Sequence, residues 1–140
     1  MSETIQQLLA ERASWNTAAV KYGEECWTWR EHVRDASARA AALLGLMDPN
    51  SPMHVGVLLG NTPEFLNQMA AAGIGGYVLC GINTTRRGEA LAADIRRADC
   101  QIVVTDAEHR QLMKDLDLSG VAILDASGDG WAILVEAAGS

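Results

Sequence analysis

The chain has 140 residues, 49% of them hydrophobic and 21% charged, a balance that supports one packed domain or one large subdomain. Its formal net charge is -7, the wrong sign for a general nucleic-acid binder. Cys26, Cys80 and Cys100 are widely spaced, with no CxxC and no Cys/His ligand spacing, so no zinc site is expected and the ordinary reading is reduced, buried thiols of a cytosolic protein.

The opening MSETIQQLLAERASW has no basic-then-apolar signal architecture. Ser2 is the expected cap of a first helix carrying Ile5, Leu8 and Leu9 at helical spacing. AVKYGEECWTW alternates around Gly23-Glu24-Glu25, with Val20 and Tyr22 in period with Trp27 and Trp29, and predicts a β-hairpin. Thr28-Trp29-Arg30-Glu31 is a T-x-x-E capping box. The helix it starts places Val33, Ala36, Ala40, Leu43, Leu44 and Met47 on one face. Asp48-Pro49-Asn50-Ser51-Pro52 stops it.

MHVGVLL then reads as a short buried strand. Thr62 as cap, Pro63 at the first helical position and Glu64 near the positive end of the dipole predict a helix with Phe65, Leu66 and Met69 inward and a stop at Gly73. Tyr77 to Cys80 is a second strand, and the helix after Gly88 buries Leu91, Ala92 and Ile95. QIVVT at 101–105 is a third strand. Thr105-Asp106-Ala107-Glu108 repeats the capping-box form ahead of a short helix to about Lys114, and VAIL at 121–124 is a fourth strand. The run MAAAGIGGYVLCGI holds four glycines and is shorter than the ~20 residues of a membrane span, so no transmembrane segment is expected.

Strands alternating with helices at these separations imply a mostly parallel sheet with right-handed crossovers, and strands apolar throughout imply cover on both faces. The fold class is therefore α/β, a mostly parallel sheet with flanking helices and an N-terminal β-hairpin.

The glycines of GIGGYVLCG precede their strand, the wrong order for a dinucleotide fingerprint. There is no P-loop and no G-x-S-x-G elbow. His32, His54 and His109 are scattered and read as packing or surface residues. Arg86, Arg87, Arg96 and Arg97 make up four of the eleven basic residues; a solvated helix face accounts for Arg96 and Arg97. Ligands of open α/β sheets meet loops at the carboxyl ends of strands, which singles out Gly60-Asn61-Thr62, Gly81 to Gly88, and Thr105-Asp106.

TWREHVRDASARAAALL resembles the T-Y-x-E-L opening helix of the AMP-forming acyl-CoA synthetase (adenylate-forming) superfamily. HVGVLLGNTPEFLNQMAAAGIGGYVLCGIN is similar to that superfamily's next block, in which a strand leads into a helix starting at N-x-P-E. INTTRRGEALAADIRRADCQIVVTD resembles the loop, helix and strand that follow, and its I-N-T-x-x-R-R form leans toward actinobacterial long-chain and very-long-chain fatty-acid–CoA ligases. The resemblance covers most of residues 15–110.

It implies an N-terminal subdomain, residues 1–140, of a ligase that joins a fatty acid to ATP as an acyl-adenylate and then to coenzyme A. ATP, Mg2+ and coenzyme A are the implied cofactors of the parent enzyme, in the cytoplasm. The superfamily's Ser/Thr/Gly-rich phosphate loop, hinge and C-terminal lysine domain are absent from these residues. The piece alone is therefore expected to be inactive, to bind no cofactor tightly, and to self-associate through apolar surface that the rest of such an enzyme covers. Catalytic residues and metal ligands are expected outside it. Arg86 and Arg87 are the candidates to meet the 3′-phosphate or pyrophosphate of coenzyme A. The competing readings are a standalone α/β binding or interaction module, or part of another adenylating enzyme such as an aryl-CoA ligase or a peptide-synthetase adenylation domain.

Overall fold

The computed structural model describes residues 4–139. The chain forms two compact units. One comprises the residues up to Gly45, Asn61–Gly76 and the stretch from Leu134, and the other comprises Leu46–Gly60 and Tyr77–Ile133.

The first unit begins with helix α1 (Ile5–Arg12). Its cap is Thr4, whose hydroxyl accepts from the Gln7 amide at 3.1 Å while Gln7 Oε1 accepts from the Thr4 amide at 3.1 Å. The expected cap Ser2 lies outside the described residues. Strands β1 (Ala18–Tyr22) and β2 (Glu25–Thr28) form the expected antiparallel hairpin, pairing Val20 with Trp27. Its turn places Gly23 at φ +60°, a conformation that glycine adopts without strain.

Helix α2 (Trp29–Leu46) starts where the capping box predicts. Thr28 Oγ1 accepts from the Glu31 amide at 3.2 Å, and Glu31 Oε1 accepts from the Thr28 amide at 3.0 Å. Trp29 thus opens the helix instead of extending the strand. Val33, Ala36, Ala40 and Leu43 are buried as expected, whereas Leu44 is exposed and Ala42 buried in its place.

Helix α3 (Pro63–Gly75) corrects two expectations. It runs past Gly73 and ends at Gly76, whose left-handed φ of +76° closes the helix. Its inner face is Gln68, Ala70, Ala71 and Ala72, while Leu66 and Met69 are 44% and 50% exposed. Gly73 serves packing: a Cβ there would lie 2.6 Å from Ile5 Cγ2 of α1.

The second unit holds a four-stranded parallel sheet in the order β4-β3-β5-β6, built from β3 (His54–Leu58), β4 (Val78–Gly81), β5 (Ile102–Thr105) and β6 (Ala122–Asp125). Helix α4 (Gly88–Arg97) crosses from β4 to β5, and α5 (Ala107–Arg110) with a 3-10 turn (Gln111–Met113) follows β5. Leu91, Ala92 and Ile95 are buried, as predicted. With Leu58, Ile82, Cys100, Val103 and Met113, Leu91 and Ile95 form the core on one face of the sheet. β5 is wholly buried and β3 nearly so, but the edge strands β4 and β6 are partly exposed, so not every strand is covered on both faces. A last helix, α6 (Asp129–Ala138), has no counterpart in the sequence-based expectations. Among the described residues no helix is long and apolar enough to cross a membrane.

Candidate functional site at the carboxyl edge of the parallel sheet

Three loops of the second unit meet at the carboxyl ends of β3, β5 and β6. Asp106 follows β5 and ties the loops after β3 and β5 together. Its Oδ1 accepts from the His109 amide at 2.8 Å, so Asp106 caps α5. The same oxygen lies 2.7 Å from His109 Nδ1, and Oδ2 accepts from the Gly60 amide after β3 at 3.3 Å. Partial burial opposes ionisation of this carboxyl. Hydrogen bonds from the His109 amide and ring and from the Gly60 amide, with the charge of His109, outweigh it and hold Asp106 below the usual carboxylate range. Donation from His109 Nδ1 to Asp106 fixes the ring orientation.

The expected Thr105 capping box does not form. Thr105 is the last, fully buried residue of β5, and its hydroxyl donates to Leu58 O at 2.7 Å across the sheet. Asp125, at the end of β6, completes the edge. It accepts from the amide and hydroxyl of Ser127 and pairs with Arg110 at 3.1 Å. Those hydrogen bonds, against slight burial, lower its pKa, and Arg110 lowers it further. Sequence reasoning did not single out Asp125, Ser127 or Arg110; the Asp-x-Ser pattern after a strand is the available signal, being an Asx-turn form.

The loop Gly81 to Gly88 leaves β4 at the same edge. Ile82 is anchored by its amide to Val57 O at 2.9 Å. Asn83 Oδ1 accepts from the amide and hydroxyl of Thr85 at 2.9 and 2.7 Å, forming a side-chain turn. Gly88 has φ +56°, whereas Gly81 does not take a left-handed conformation, so the bend rests on one glycine and not both.

Arg86 grips Asp94 of α4 through Nε at 2.9 Å and a second nitrogen at 3.3 Å. These hydrogen bonds and the carboxylate charge raise the Arg86 pKa and lower that of Asp94. Arg87 folds over its own loop, donating to Thr84 O at 2.6 Å and Arg86 O at 2.9 Å, and has no ion-pair partner among the described residues. Arg96 pairs with Glu89 and donates to Asp117 O at 3.0 Å. Arg97 lies 3.8 Å from Asp94, on the exposed face of α4.

The remaining candidates lie elsewhere. Asn61 and Thr62 belong to the first unit, where the Thr62 hydroxyl makes no capping bond. In that unit His32 is buried and meets Asn67 Oδ1 at 3.0 Å. His54, in the second unit, meets Ala98 O at 2.8 Å. Among the described residues, no cluster of three or more His, Cys, Asp or Glu side chains is placed to hold a metal ion.

The decisive observation is the family match: the model of the AMP-binding enzyme family matches residues 8–138. The chain belongs to the AMP-binding enzyme family.

Relatives of this chain include the steroid-22-oyl-CoA synthetase of Rhodococcus jostii, 44% identical over 82% of this chain and 20% of the relative. The medium/long-chain-fatty-acid–CoA ligase FadD17 of Mycobacterium marinum is 38% identical over 96% of this chain and 26% of the relative. The chain therefore spans between a fifth and about a quarter of the length of these curated relatives. Among solved structures, the crystal structure of VinN superposes with a TM-score of 0.81 at 22% identity, covering 98% of this chain and 34% of VinN. At that identity the likeness establishes the fold.

Proposed function

We propose that residues 1–140 are the N-terminal subdomain of an ATP-dependent, AMP-forming fatty-acid–CoA ligase. The reaction joins a fatty acid to ATP, releasing pyrophosphate from an acyl-adenylate, and coenzyme A then displaces AMP to give the thioester. The carrying observation is the 38% identity to the FadD17 ligase along 96% of this chain. The part played by these residues is to build a rigid parallel sheet and the loops at its carboxyl edge. Mg2+ belongs with ATP in such a reaction, but the described residues contain no cluster of three or more His, Cys, Asp or Glu side chains to hold it. The cytoplasm is the compartment in which ATP and coenzyme A are at hand.

The test is a graft. Replacing the matching segment of the M. marinum ligase with this chain is expected to leave fatty-acid-dependent formation of acyl-CoA and AMP, while this chain alone forms neither. A folded chimaera that makes no acyl-adenylate from its fatty acid would overturn the reading.

A second reading has its own observation, the 44% identity to a steroid-22-oyl-CoA synthetase. It changes the acid from a fatty chain to a steroid side-chain carboxylate, and grafting into that synthetase gives the corresponding assay.

Arg86 and Arg87 remain the proposed contacts for the coenzyme A phosphates, with unequal parts. Arg86 already has its charge matched by Asp94, so Arg87 is the cation available to a phosphate. In the chimaera, Arg87→Ala is expected to raise the coenzyme A KM several-fold with the ATP KM unchanged. An unchanged coenzyme A KM in an Arg86→Ala, Arg87→Ala double variant removes both residues from the site.

A further inference from the structure

Two of the three cysteines meet beneath α4. Cys80 lies on β4 directly opposite Gly56 of β3 in the parallel register. Partnered residues of parallel strands project from the same face and stand about 4.8 Å apart. Cys100, just before β5, puts its Sγ 3.0 Å from where a Cβ on Gly56 would be. Gly56 therefore has no side chain where the sulfur of Cys100 sits, and Cys80 borders the same space. The Cys80 thiol donates weakly to Ala98 O at 3.9 Å, which aims it toward the turn carrying Cys100. Cys80 is partly exposed and Cys100 is buried.

We propose that Cys80 and Cys100 are a dithiol pair that oxidises to an internal disulfide, with Cys80 as the attacking thiol and Cys100 as the resolving one. The oxidant is a low-molecular-weight disulfide, RSSR. The Cys80 thiolate attacks one sulfur of RSSR, the S–S bond breaks, and one RS⁻ leaves and takes up the proton that Cys80 gave up. Cys100 then loses its proton and attacks Cys80 Sγ. The mixed disulfide breaks, the Cys80–Cys100 bond forms, and the second RS⁻ leaves as RSH. Two cysteine thiols are oxidised and one disulfide is reduced to two thiols.

The order of attack follows from exposure. Burial, with the neighbouring Cys80 thiol and Asp99, pushes the Cys100 thiol up to about 12, so it stays protonated until the mixed disulfide is beside it. The segment between the two cysteines contains the loop of Arg86 and Arg87 and all of α4. Oxidation thus ties the root of that loop to the end of its helix.

The experiment uses the full chain with Cys26→Ser, since Cys26 is exposed and would react on its own. Incubated with oxidised glutathione, the protein is expected to lose two hydrogen atoms by intact mass and to carry no glutathione. Proteolysis should give one cross-linked peptide pair joining Cys80 to Cys100. Adding Cys100→Ala should trap one glutathione on Cys80. Three results each overturn the proposal: a lasting glutathione adduct on Cys80 with Cys100 free, a disulfide between two chains, or unreacted thiols under conditions that oxidise the urea-unfolded chain.

Discussion

Asp106 performs two tasks with one carboxylate, and they can be separated by substitution. Its oxygens cap α5 and also hold the Gly60 amide and the His109 ring. Removing a capping side chain costs about 1 kcal/mol, so Asp106→Ala should lower the unfolding free energy by that amount, read as a lower urea midpoint at unchanged slope. Asp106→Asn keeps a capping oxygen and loses the charge, so it should cost less. The pH dependence gives the sign. The native pKa of Asp106 is lowered, so its ionisation contributes stability above the ordinary carboxylate value of about 3.9. That contribution is lost as pH falls through the lower native value. The gap between the native protein and Asp106→Asn should therefore close in acid. A gap that persists undiminished at low pH would show that the charge is not its source.

Helices α1 and α3 show what a single missing methyl group does for an element. Gly73 sits inside α3, where alanine would be the better helix former by about 1 kcal/mol. The Cβ of alanine, however, would come within 2.6 Å of Ile5 Cγ2, and that atom is the stub of a β-branched side chain with little freedom to step aside. Overpacking costs about 1–3 kcal/mol, so the clash wins and Gly73→Ala should destabilise. Ile5 is 59% exposed, so Ile5→Ala should cost little alone. The double variant should recover the stability lost by Gly73→Ala and gain from the helix propensity. Additive losses in that cycle would place the effect elsewhere.

The same helices mark what the sequence could and could not reveal. The Thr28–Glu31 box was legible because a spacing of three is itself the hydrogen-bond geometry, and both bonds form. The end of α3 was not, because a glycine within a helix and a glycine closing one look alike until the partner helix is in place. At Thr105-Asp106 two adjacent residues can each cap. The length of β5 decided between them by carrying Thr105 into the sheet, where its hydroxyl meets Leu58 O. Arg86 and Asp94 are eight residues apart, outside the three- and four-residue spacings of a helix face, so their pairing depends on how the loop folds onto α4. The parallel sheet and its carboxyl-edge loops were readable from element order. The partners that occupy those loops were fixed by tertiary contact.

At the scale of the whole molecule, the parallel sheet ends in two edge strands, β4 and β6, that pair on one side only among the described residues. Each exposes a β-branched apolar residue: Val78 is 50% exposed and Ile123 is 38% exposed. Unpaired backbone beside apolar side chains is a template for another chain. A net charge of -7 opposes association by repulsion. The two effects make opposite forecasts for one substitution. Lysine at position 78 or 123 brings the net charge closer to zero, which weakens repulsion, yet it blunts the edge. If the edges drive assembly, the native chain should show dimers or larger species by light scattering at high concentration, and Val78→Lys with Ile123→Lys should return it toward monomer despite the weaker repulsion. If net charge governs instead, the double variant should associate more than the native chain. A native chain that stays a monodisperse monomer at high concentration would mean that neither edge is sticky enough to matter.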